Sequence, residues 1–131
     1  MRKSILTILM SLFFILSFAQ VENATFLTRY STFYEYNTYT DKFELTNEAW
    51  METYLTASSD YYNFKIEDGE WTKVYWEYYE KNEYGNDVYY TRDERKVVFD
   101  YENQRIIFYY EYSEYEKLYT KYIILDKLSK L

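Results

Sequence analysis

The chain has 131 residues, with 15 basic and 22 acidic side chains, no His, no Cys, no Pro and two Gly. Without imidazole or thiol there is no Ser-His or Cys-His nucleophile, no imidazole base, no usual zinc donor set and no disulfide framework. A formal charge of −7 at pH 7 opposes binding to nucleic acid or to anionic lipid, whose phosphates demand a cationic face.

Met1-Arg2-Lys3, an almost wholly apolar run from Ile5 to Phe18, and the small residue Ala19 have the form of a secretory signal peptide over 1–19. The apolar run is too short for a comfortable membrane span. The expected product is a secreted or periplasmic chain, 20–131, folding as a single β domain. Loss of Arg2 and Lys3 leaves 13 basic against 22 acidic residues, a net charge of −9. All 20 Tyr, with Trp50, Trp71 and Trp76, fall in this portion. Such rings favour pleated, half-buried surfaces, so the composition points to sheet.

From Phe26 to Tyr36 the alternation predicts a first strand, with Phe26, Tyr30, Tyr34 and Tyr36 on one side and Arg29, Ser31 and Glu35 on the other. A polar turn over 37–41 leads to a second strand from Lys42 to Thr46. Between 47 and 59 helical and strand spacings compete, and a short irregular piece followed by a strand is favoured.

Tyr61 to Lys81 forms a hairpin whose loop length is set by parity. A two-residue Asp68-Gly69 loop would put Val74 and Trp76 on the wrong face. A three-residue loop, Glu67-Asp68-Gly69 with Gly69 left-handed, pairs Phe64 with Thr72 and Tyr62 with Val74. Tyr62, Phe64, Ile66, Val74, Trp76 and Tyr78 then face the core. Tyr61, Lys65, Trp71, Lys73, Tyr75, Glu77 and Tyr79 face away from it, with Lys65 over Trp71 as a cation–π pair.

After a turn over 82–86, a strand over 87–92 and a charged turn over 92–95, Lys96 to Tyr101 and Arg105 to Tyr112 form a second hairpin. Its two-residue loop is Glu102-Asn103 or Asn103-Gln104. Val97, Phe99, Tyr101, Ile106, Phe108, Tyr110 and Tyr112 are expected inside. Lys96, Val98, Asp100, Arg105, Ile107, Tyr109 and Glu111 are expected on a partly wetted face. Leu118 to Leu125 is favoured as a last strand over a helix, with Tyr122, Ile124 or their neighbours inward and a fraying Lys-rich tail. The whole is an all-β, antiparallel meander of 7–8 short strands forming a small barrel or sandwich.

Gly69 and Gly85, sixteen residues apart, exclude a glycine-rich phosphate loop. The Glu67-Asp68-Gly69-Glu70 turn lacks the alternating ligands of a calcium loop, and paired carboxylates in an acidic sheet say little about glycosidase chemistry. No cofactor, metal or catalytic residue is expected, and a non-catalytic module is. Its candidate binding residues are Trp71, Tyr75, Tyr61, Tyr79, Lys65 and Lys73, rings with polar neighbours suited to a glycan or another protein. The alternatives are a small barrel carrying an apolar ligand in a cavity among Phe64, Trp76, Phe99 and Phe108, and an assembly protein pairing Tyr-rich strand edges.

Overall fold

A computed structural model describes residues 23–131; the expected signal peptide over 1–19 lies outside them. The described residues form eleven antiparallel strands and no helix: β1 (Thr25–Thr28), β2 (Tyr30–Asn37), β3 (Lys42–Ala49), β4 (Thr53–Ala57), β5 (Tyr61–Ile66), β6 (Thr72–Lys81), β7 (Asp87–Thr91), β8 (Lys96–Asp100), β9 (Arg105–Ser113), β10 (Leu118–Asp126) and β11 (Ser129–Lys130). The sheet order is β11-β1-β4-β5-β6-β7-β8-β9-β10-β2-β3, an open ladder with β11 and β3 as its outer members.

Three strand boundaries are interruptions rather than reversals: Arg29, residues 50–52 and residues 127–128. Joined across them, the eleven strands reduce to eight runs of chain in meander order. The same three runs supply both ends of the ladder, so the sheet wraps over on itself like a barrel. Ring contacts between strands that are not ladder neighbours trace the wrap. Phe26 on β1 lies 6.1 Å from Phe99 on β8, and Tyr62 on β5 lies 5.8 Å from Phe108 on β9.

The interior is built from alternate residues of both layers, including Leu55, Ala57, Tyr62, Trp76, Tyr89, Val97, Phe99, Ile106 and Leu125. Of the expected inner face of the β8–β9 hairpin, Val97, Phe99 and Ile106 are buried, while Tyr101 and Tyr112 are exposed. The opposite face is not wetted in its middle. Val88, Val98, Ile107 and Ile124 form a second buried cluster roofed by Tyr34, Tyr90, Tyr109 and Tyr122. Amphipathic tyrosine rings make this possible, each covering aliphatic neighbours with its body while its hydroxyl stays near water.

The first run departs most from expectation. Thr28 is buried on one side of Arg29 and Ser31 on the other, so the in–out phase inverts at the interruption. The Thr28 hydroxyl occupies the break within hydrogen-bond reach of two carbonyls, those of Tyr30, at 3.0 Å, and Asp126, its one proton serving either. Backbone that leaves the ladder is thereby satisfied from a side chain. Ser31, expected outside, is 2% exposed. The tail does not fray: Phe26 pairs with Lys130, and Leu131 N donates to Thr25 O at 2.8 Å.

The β5–β6 hairpin keeps its expected register but changes its left-handed residue, and the β8–β9 hairpin has a longer loop than the two residues expected. Phe64 pairs with Thr72 and Tyr62 with Val74, yet Glu67 has the positive φ (52°), not Gly69. Gly69 serves close approach instead, since a Cβ there would meet Ile66 O at 2.9 Å. In the β8–β9 hairpin Asp100 pairs with Arg105, leaving a four-residue loop, 101–104, with Gln104 at φ 51°. Asp100 is buried and holds this loop, accepting from Asn103 Nδ2 and Arg105 Nε, each at 2.9 Å. Burial pushes the Asp100 carboxyl up, but these donors outweigh it and leave it below the ordinary value of 3.8.

Candidate functional site

Two features on opposite sides of one wall qualify as sites. Outside, β4, β5 and the first half of β6 carry a stripe of alternating rings and cations. Lys65 Nζ stands 5.3 Å from the Trp71 ring centre and 5.0 Å from that of Tyr54. Lys73 Nζ stands 4.3 Å from Tyr61 and 5.9 Å from Tyr75, and Arg92 Cζ covers Tyr75 at 4.2 Å. Tyr61 and Tyr75, directly paired across strands, meet edge to face at 6.3 Å. Trp71 and Tyr75 remain 50% and 41% exposed.

Five of the six expected binding residues therefore share a patch, and the sixth does not. Tyr79 sits on the half of β6 that pairs β7, where it meets Tyr90 edge to face at 5.1 Å. The divergence follows from β6 serving β5 over Thr72–Tyr75 and β7 over Trp76–Lys81, with a register shift between Tyr78 and Glu80. Tyr54 and Arg92 join the patch unforeseen. Tyr54 comes from the stretch where helix and strand spacing competed, and Arg92 from a turn whose position depends on tertiary wrapping.

Inside the wrap lies a cavity of about 470 Å³. Its apolar lining includes the partly exposed Phe33, Phe64, Val74, Phe108 and Ile123, with Ser31, Thr53 and Thr72 as hydroxyl-bearing members. The cavity expected among Phe64, Trp76, Phe99 and Phe108 is thus displaced toward one end. Phe64 and Phe108 line it, whereas Trp76 and Phe99 fill the other end of the interior. There Trp76 stacks on Tyr89 at 4.1 Å and meets Phe99 edge-on at 5.8 Å.

Two cations, Arg95 and Lys96, are among the lining residues of the cavity. The Arg95 Nε is 2.7 Å from Asp93 Oδ2, and the Asp93 carboxyl also accepts from Thr91. The Thr91 hydroxyl, then Arg95, hold that carboxyl below its ordinary range despite partial burial. Tyr62, buried in the wall, has its phenol pushed up to about 12 by burial, with the Arg95 charge pulling the other way. The arrangement sets an apolar wall beside a few hydroxyl groups. Compared with known proteins, the chain matches no family model, no curated sequence and no solved structure.

Proposed function

We propose that this is a non-catalytic binding protein that holds a small, mostly apolar molecule inside its wrapped sheet. The observation that carries this is the cavity of about 470 Å³ walled by apolar side chains. Ligand sites typically measure roughly 300–1,000 Å³ and are lined by hydrophobic groups with few polar points. A half-open recess of this size in a chain otherwise packed ring against ring leaves apolar wall that a guest would cover, which favours binding. Export to a secreted or periplasmic compartment, if the leader acts as its composition suggests, suits a carrier of poorly soluble compounds.

The test uses N-phenylnaphthylamine, a neutral probe that fluoresces in apolar surroundings. Saturable enhancement with one site per chain is expected. Val74→Trp, which extends a cavity-lining side chain into the space, is expected to weaken it more than tenfold while leaving the melting temperature within a few degrees. Unsaturable enhancement, or binding indifferent to Val74→Trp, refutes the cavity reading.

A second reading is favoured by the half-exposed indole of Trp71 beside Tyr75: a contact surface for a glycan or another protein. The cations lying over Tyr61, Tyr75 and Trp71 limit it, because a sugar stacking on those faces must first displace them. Trp71→Ala is expected to leave the fold intact and to abolish retention on a glycan or protein array. Unchanged retention removes this surface from consideration.

A further inference from the structure

We infer that the molecule held in the cavity bears a neutral oxygen group, as an alcohol, ketone or ester does, and that Ser31 is the residue that recognises it. This rests on the cavity reading above and adds the chemical class of the guest.

Ser31 lines the cavity from β2, is 2% exposed, and its Oγ has no hydrogen-bond partner among the described residues. Elsewhere among the described residues, fully buried side-chain polar atoms have partners. Thr28 reaches two carbonyls, Asp87 accepts from the Tyr78 and Tyr101 hydroxyls, and Asp100 accepts from Asn103 and Arg105. A buried hydroxyl left without a partner is destabilising, and one at the wall of a cavity is relieved by whatever fills that cavity. By turning about its Cα–Cβ bond, the Ser31 hydroxyl donates to a guest's carbonyl or ether oxygen, or accepts from its alcohol.

The same wall argues against other guests. A hydrocarbon leaves Ser31 as it is. A carboxylate would lose its hydration among apolar side chains, with Arg95 already engaged by Asp93 at 2.7 Å, so Lys96 is the lining cation that would have to meet it. A single uncharged oxygen satisfies the hydroxyl without burying a charge.

Octanol, octyl chloride and octanoate share one chain and differ at its end, so their displacement of N-phenylnaphthylamine from the intact protein tests the inference. Octanol is expected to bind more tightly than octanoate. Ser31→Ala is expected to weaken octanol about five- to tenfold, the worth of one hydrogen bond, and to leave octyl chloride unchanged or tighter. Ser31→Cys, close in shape but a weak donor, is expected to behave as Ser31→Ala does, and neither lowers the melting temperature of the free protein. Octanoate binding best, both neutral ligands responding alike to Ser31→Ala, or a lowered melting temperature each overturns the role of Ser31 while leaving the cavity reading standing. If none of the three displaces the probe, both fall.

Discussion

Replacing Trp76 with alanine is expected to remove about 3–5 kcal/mol of stability, read as a lowered urea midpoint at little changed slope. The indole is 1% exposed and touches rings on three sides: Tyr89 at 4.1 Å with planes 10° apart, Tyr62 at 4.9 Å and Phe99 at 5.8 Å. Its Nε1 donates to Ser58 O at 2.8 Å, tying β6 to the chain just before β5. Trp76→Phe separates the two contributions. It retains much of the stacking but orphans the Ser58 carbonyl, and a loss of about 1–3 kcal/mol is expected. Against a total of about 5–15 kcal/mol for a domain of this size, the alanine variant is near the limit of folding. A loss under about 1 kcal/mol would mean that this end of the interior is not close-packed.

Alkaline solution is expected to unfold the protein, through its phenols. Burial pushes the Tyr62 phenol up to about 12. Tyr78 also rises to about 12, from burial and from donating to Asp87, and Tyr101 rises further for the same two reasons. Burial raises Tyr109 and Tyr122 as well. In each case the folded value exceeds the ordinary 10.0, so the unfolded chain gives up its proton first. The stability these groups contribute is complete below pH 10 and is lost as pH climbs through the raised values. For the well-buried Tyr62 alone this amounts to about 2–3 kcal/mol near pH 12. Tyrosinate absorbance for the buried rings is expected to appear together with loss of the sheet's circular dichroism. Tyr62→Phe should move that transition to higher pH relative to its own neutral-pH stability. Complete phenol titration near pH 10 with the sheet intact would contradict these environments.

Legibility in the sequence tracked how many physical constraints met at a position. The β5–β6 register was readable because one loop length alone brings Tyr62, Phe64, Val74 and Trp76 to a common side, and the Lys65–Trp71 contact followed from it. The left-handed residue was not readable, since Glu67 and Gly69 both satisfy the count and the choice depends on a close carbonyl. The first run failed for a different reason. Phe26, Tyr30, Tyr34 and Tyr36 share one parity through Arg29 while Leu27 and Phe33 sit on the other, and the phase change there is imposed by the sheet's wrap, a non-local event that Phe33 alone hints at. Ser31 was assigned outward on that account. The cavity's place was half legible: Phe64 and Phe108 have the right parity, but parity says nothing about height along the interior, which decided against Trp76 and Phe99.

The pairing of Phe26 with Lys130 joins residues roughly a hundred positions apart, so the seam of the sheet depends on some of the least local contacts among the described residues. A ribosome must deliver nearly all of the sequence before that seam exists, and until then β1 and β2 lack their β10 and β11 partners. A late zipping step is therefore expected in folding, after the local hairpins β5–β6 and β8–β9 have formed.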